Sequence, residues 1–179
     1  MPQQDAAGGE RFTLKPPRLR AFVMAAALFG AAAPSLSAQQ AVLLVRHAEK
    51  ADDSDDPPLS KQGLLRAESL ASLLSGAGVK GIFVTQYRRT GLTAAPLASR
   101  TKVAPLSMHS DAVDELVARL RAEHAADVVL CVGHSGSLPK IIKAYGYPEP
   151  VEIGHDEYDG LFVLVPRPGQ PPSLLRLKF

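Results

Sequence analysis

Ala41-Val42-Leu43-Leu44-Val45-Arg46-His47 is the stretch that decides the fold. Five apolar residues in a row, rich in β-branched and leucine side chains, read as a strand covered on both faces. Such strands belong to parallel sheets packed between helices, and ligands bind outside their carboxyl ends. Here that end is Arg46-His47, a cation followed by an imidazole.

Outward from this strand, short apolar runs alternate with helical stretches, the pattern of an α/β domain. Asp52 to Pro58 is a polar loop. Ser60 is placed to cap a helix reaching about Ser75, whose Ala67, Leu70, Ala71 and Leu74 share one face. Gly81 to Thr85 reads as a strand, Arg88 to Ser99 as a helix and Lys102 to Leu106 as a short strand. Asp111 to Glu123 is an amphipathic helix through Val113, Leu116, Val117 and Leu120. Asp127 to Val132 is a second buried strand ending in Gly133-His134-Ser135-Gly136, followed by a helix over Leu138 to Ala144. Gly160 to Val165 and Ser173 to Leu177 are two antiparallel edge strands, separated by a loop from Pro166 to Pro172. The fold expected is a three-layer α/β sandwich with a mostly parallel central sheet, formed by residues 39–179 as one domain.

Before that domain, Arg18 and Arg20 precede the apolar run Ala21 to Ala33, and Pro34-Ser35-Leu36-Ser37-Ala38 follows. This reads as a signal peptide over residues 1–38, cleaved near Ala38, which places the protein in the periplasm or outside the cell. An uncleaved membrane anchor is the alternative, although the run is short for a span of about 20 residues. After cleavage no stable membrane insertion is expected. The chain has 20 Lys and Arg against 18 Asp and Glu. The excess lies in the N-terminal segment, so the domain is neutral and offers no basic stripe for nucleic acid. Cys131, the one cysteine, sits in an apolar strand and reads as a small core side chain.

Three strand ends bring basic groups toward one edge: Arg46-His47, Arg88-Arg89 beyond Thr85, and His134. Helix N-termini gather at the same edge and favour anions. Two arginines can grip phosphate oxygens with paired donors, and a neutral imidazole can attack phosphorus and carry the phosphoryl group. Gly133-His134-Ser135-Gly136-Ser137 also approximates a serine-hydrolase elbow at Ser135, although a Ser stands at 137 where Gly is needed. A zinc site on His47 and His134 lacks a third ligand. Asp52, Asp53, Asp55 and Asp56 lack the glycine and glutamate spacing of a calcium loop.

Four blocks resemble the histidine phosphatase superfamily, which includes the phosphoglycerate mutases: Leu44 to Lys50, Pro58 to Gly63 with Arg66-Ala67, Thr85 to Thr90 with Thr93-Ala94, and Val132 to Ser135. The resemblance implies that His47 is the nucleophile that becomes phosphohistidine, that Arg46 and Arg89 clamp the phosphate, and that His134 donates to it. No metal or other cofactor is implied. Arg88 is the alternative to Arg89, but the spacing to Thr93-Ala94 favours Arg89. Larger members carry an acidic proton donor on an insertion, whereas here Thr101 to Asp127 is consumed by a strand and a helix. That leaves Glu49 as the preferred general acid, with Asp55 or Asp56 as alternatives. The expected substrate is a phosphomonoester or phosphoramidate, on a small molecule or a phosphoprotein. A phosphate-binding protein without turnover is the non-enzymatic alternative.

Overall fold

The computed structural model describes residues 41–179; the expected signal peptide lies outside them. Its elements are β1 (Ala41–Arg46), α1 (Lys61–Leu74), β2 (Val79–Thr85), α2 (Arg88–Thr101), β3 (Pro105–Met108), α3 (Val113–Glu123), β4 (Val128–Gly133), α4 (Leu138–Ala144), β5 (Gly160–Arg167) and β6 (Gln170–Lys178). They form the expected three-layer α/β sandwich. One sheet of order β3-β2-β4-β1-β5-β6 is parallel from β3 to β1 and antiparallel from β1 to β6.

Strand alternation divides the core. Val42 and Leu44 of β1, with Val129 and Cys131 of β4, pack under α3 and α4 beside Leu120, Leu138 and Ile142. Leu43 and Val45, with Leu130 and Val132, face the other way onto Leu70, Ala71 and Leu74 of α1 and onto Ala94 and Leu97 of α2. Both faces of β1 are therefore covered, as a continuous apolar run requires. Cys131 is buried, and burial pushes its thiol up to about 12, so it is an inert core side chain.

The start of α1 is fixed by a side-chain cap and a close backbone approach. Ser60 Oγ accepts from the Gly63 amide at 3.1 Å, and the Ser60 amide donates to the Glu49 carbonyl at 2.9 Å. A Cβ on Gly63 would stand 2.4 Å from that same carbonyl, so only glycine lets the helix reach the chain leaving β1.

Several boundaries differ from the sequence reading, β2 starting at Val79 rather than Gly81 and α3 at Val113 rather than Asp111. Helix α2 runs on to Thr101, because Lys102 takes the left-handed conformation (φ 61°) and its amide closes on Ala98. The third strand therefore starts at Pro105 rather than Lys102. The expected loop from Pro166 to Pro172 is mostly strand, since β5 and β6 extend to Arg167 and Gln170 around a turn at Gly169 with φ 69°. Pro171 and Pro172 are tolerated because β6 is an edge strand, and Pro166 falls where the register between β5 and β6 shifts. Strand β5 is not itself an edge, for it also pairs with β1.

Candidate active site

The parallel register of β1 and β4 builds the centre of the site. Arg46 is paired with Gly133, and the His47 amide continues the ladder to the Gly133 carbonyl at 2.9 Å. The next residue on each strand is a histidine, so His47 and His134 emerge side by side with ring centroids 5.3 Å apart. Gly133 has to be small, because a Cβ there would lie 2.8 Å from Leu138 and 2.9 Å from Ser137 Oγ.

His47 is buried, and its Nδ1 lies 2.8 Å from the Ala48 carbonyl. A carbonyl only accepts, so Nδ1 carries the ring proton and the Nε2 lone pair is left free. Burial is the main cause that lowers the His47 pKa from 6.5 to about 4; the Ala48 bond opposes it, and His134, Arg46 and Arg89 add to the lowering. His134 is likewise lowered to about 4, chiefly by burial and then by Arg89 and Arg46. Both rings are neutral at neutral pH. Nε2 of His134 meets Thr85 Oγ1 at 3.0 Å; a proton donated by that hydroxyl leaves Nδ1 of His134 as a donor.

Each arginine lies over a tyrosine. The Arg46 guanidinium is 4.1 Å from the Tyr158 ring, and the Tyr158 ring is 5.9 Å from His47. The Arg89 guanidinium is 4.1 Å from the Tyr87 ring, which meets His134 edge-on at 5.3 Å. The site is thus a chain of neighbours, Arg46–Tyr158–His47–His134–Tyr87–Arg89. In both arginines the buried Nε–H has no hydrogen-bond partner. A buried donor left unpaired costs about 1–3 kcal/mol, and here two such donors belong to cations beside two neutral imidazoles. An oxyanion is the kind of acceptor that such charged donors take.

The strand ends carry the expected side chains, and α2 is held to them. Thr93 Oγ1 accepts from the Ala48 amide at 3.0 Å and donates to the Arg89 carbonyl at 2.7 Å. Thr90 Oγ1 accepts from the Thr85 amide at 3.0 Å. Arg89 turns inward with its side chain 13% exposed and lies 3.7 Å from Asp56, whereas Arg88 is exposed. Asp56 also accepts from the Arg88 amide at 2.9 Å, which caps α2.

Glu49 does not fit the role of proton donor expected of it. Arg66 Nε donates to its Oε1 and Oε2 at 2.9 and 3.0 Å, and Arg66 Nη2 to Oε1 at 2.6 Å. Burial pushes the Glu49 carboxyl up, but the hydrogen bonds and charge of Arg66 outweigh it and hold the group below its ordinary range. This carboxylate is ionised and fully engaged, and it serves to tie the segment after His47 to α1. Ser135 fares no better as a nucleophile. Among the described residues no histidine is hydrogen-bonded to it: His134 engages Thr85, and His155 engages Asp156. No cluster of three or more metal-ligating side chains occurs among the described residues.

The sequence reading missed Tyr158 and the segment around it. The Arg46 Nη1 donates to the carbonyls of Gly154, His155 and Glu157 at 2.9, 2.6 and 3.2 Å. No local pattern announces this, because the contacts span more than half the chain.

Residues 42–112 match the family model for the histidine phosphatase superfamily (branch 1). No curated protein matches the chain significantly. Among solved structures, the alpha-ribazole phosphatase from Shigella flexneri is similar with a TM-score of 0.63 at 16% identity, covering 78% of this chain and 96% of that one. The protein histidine phosphatase SixA complexed with tungstate has a TM-score of 0.63 at 15% identity, covering 77% and 96%. A mycobacterial glucosyl-3-phosphoglycerate phosphatase in complex with VO3 has a TM-score of 0.59 at 16% identity, covering 78% and 98%. These likenesses establish the fold as that of the phosphoglycerate mutase-like phosphatases.

Proposed function

We propose that the chain is a phosphatase of the histidine phosphatase superfamily, working through a phosphohistidine on His47. The observation that carries this reading is the pair of buried, unpartnered Nε–H groups of Arg46 and Arg89 beside two neutral imidazoles. In the first step the Nε2 lone pair of His47 attacks phosphorus. The bond to the leaving oxygen or nitrogen breaks, and the leaving group departs with its electron pair. The Nδ1–H bond to Ala48 stabilises the positive charge that develops on the ring, and the two arginines offset the charge on the phosphoryl oxygens. His134 donates to one of those oxygens. Water then attacks phosphorus, the P–Nε2 bond breaks, and inorganic phosphate leaves.

With Glu49 committed to Arg66, this chemistry favours leaving groups that need little protonation. Phosphoramidates and activated phosphomonoesters are such substrates, on a small molecule or a phosphoprotein. On this reading no metal is required, since the Arg46 and Arg89 guanidiniums supply the positive field beside the two neutral imidazoles. The same proposal extends to export: the segment from Arg18 to Ala38 directs the protein to the periplasm or the medium. A mature N-terminus at Gln39 in the exported fraction is the expected result.

The test is hydrolysis of an aryl phosphate by the full chain in the presence of a chelator. Turnover that disappears in His47→Ala, with a trapped acid-labile phosphoryl adduct on the wild type, is expected. Undiminished turnover in His47→Ala rejects the mechanism. Phosphate binding without turnover would identify a binding protein instead.

A further inference from the structure

The turn between α4 and β5 is built around one acidic side chain. The Glu157 amide donates to the Gly154 carbonyl at 3.1 Å, and Glu157 Oε2 accepts from the Gly154 amide at 3.2 Å. The turn is thus closed from both directions, once by backbone and once by the carboxylate. The other carboxylate oxygen pairs with Arg176 of the edge strand β6, so the turn is anchored to the sheet. The Glu157 side chain is only 18% exposed, which makes this pair less screened than an ordinary surface one. The closed turn aims three carbonyls inward, those of Gly154, His155 and Glu157, and all three receive Arg46 Nη1. The following residue, Tyr158, supplies the ring beneath the same guanidinium.

A guanidinium is a rigid planar fork, so fixing one nitrogen and one face fixes the direction of the other donors. The Nε–H without a protein partner is one of those remaining donors. We propose that Glu157 is a positioning residue for the phosphate clamp: braced by Arg176, it shapes the carbonyl cup that orients Arg46. This inference rests on the phosphatase reading for its kinetic consequences, but its physical content is anion binding by Arg46. The Glu157 carboxylate acts through the turn, its hydrogen bonds going to the Gly154 amide and to Arg176 rather than to Arg46 or His47. Its removal leaves Arg46 in place chemically but free to rotate, and a small misplacement of a clamp of this kind can cost about 100-fold in rate.

The experiment compares the full-length wild type with Glu157→Ala, Arg46→Ala and the double variant, by aryl phosphate kinetics and by inorganic phosphate binding in a calorimeter. Glu157→Ala is expected to lower kcat/KM by about 10- to 100-fold and to weaken phosphate binding. In the Arg46→Ala background the same substitution should change kcat/KM less than about 2-fold, because the group it positions is gone. A general structural role would lower activity by the same factor in both backgrounds, and that result overturns the proposal. So does a Glu157→Ala protein with wild-type kinetics and phosphate affinity. The charge-reversed pair Glu157→Arg with Arg176→Glu, which keeps the brace but removes the carboxylate from the turn, should not restore activity; full restoration would refute the need for the carboxylate at this position. If the wild type binds phosphate but does not turn over, the phosphatase reading fails alone. The positioning role then stands or falls on whether Glu157→Ala weakens phosphate binding. A wild type that binds no phosphate removes both.

Discussion

Thr93→Val replaces one hydroxyl by a methyl of almost the same size and tests how the segment after β1, which carries His47, is joined to the helix that carries Arg89. Thr93 is buried at 2% exposure and Ala48 at 0%. The hydroxyl accepts from the Ala48 amide and donates to the Arg89 carbonyl. Valine removes both bonds without opening a cavity, and no water can reach the abandoned amide. An unsatisfied buried donor costs about 1–3 kcal/mol. With a middle value of about 2 kcal/mol, a domain of this size should lose roughly 6–10 °C in Tm. Thr93→Ser keeps the hydroxyl and should lose much less. Thermal unfolding followed by circular dichroism measures the stability change. Because Arg89 belongs to the same helical turn, kcat/KM for an aryl phosphate should also fall more in Thr93→Val than in Thr93→Ser. A Thr93→Val protein whose Tm lies within about 2 °C of wild type would show that the hydroxyl does not join these elements as described.

Two further expectations concern titration and the carboxylate beside the site. Burial lowers both histidines from 6.5 to about 4, so the unfolded chain binds protons that the folded one excludes between those values. The stability they confer is complete above about pH 6.5 and is lost as pH falls toward 4; urea midpoints should follow that window and flatten in His47→Gln. The acid limb of kcat/KM should likewise fall near pH 4 rather than near 6.5, and a midpoint at the ordinary histidine value would contradict the burial argument. Glu49→Gln should cost about 1–3 kcal/mol in urea unfolding by stranding half-buried Arg66. Across aryl phosphates of graded leaving-group pKa its rate dependence should match wild type, and selective slowing of the poor leaving groups would restore Glu49 as the acid.

Much of this fold could be read from the chain because its strongest signals are local. The apolar runs of β1 and β4 have few alternatives to buried parallel strands, and the buried face of α1 follows from the spacing of Ala67, Leu70, Ala71 and Leu74, all of which are buried. Ser60 caps that helix as a serine before a periodic run should. Likewise, Arg46, His47, Arg89 and His134 lie at or just past the carboxyl ends of parallel strands, which share one edge of the sheet. What stayed hidden depends on partners remote in sequence. Arg46 is held by carbonyls 108 to 111 residues away, and backbone acceptors leave no compositional trace. Glu49 reads as a free acid until α1 docks and brings Arg66 to it. The length of β5 and β6 was masked by Pro166, Pro171 and Pro172, residues that usually announce a loop but that an edge hairpin accommodates.

The β1–β4 ladder also has a meaning in time. Arg46 and Gly133 become neighbours only when segments at opposite ends of the central region of the chain find each other, past three helices and two strands. Bringing such distant segments together is entropically slow compared with forming α1 or the β5–β6 hairpin. During synthesis, a chain that has emerged only through α2 already presents Arg46, His47 and Arg89. It lacks the strand beside which His47 is buried and the turn that aims Arg46. On the reading proposed above, activity therefore waits until β4 has entered the middle of the sheet and the turn after α4 has closed on Arg46, and an unfinished chain carries His47 exposed and Arg46 unaimed.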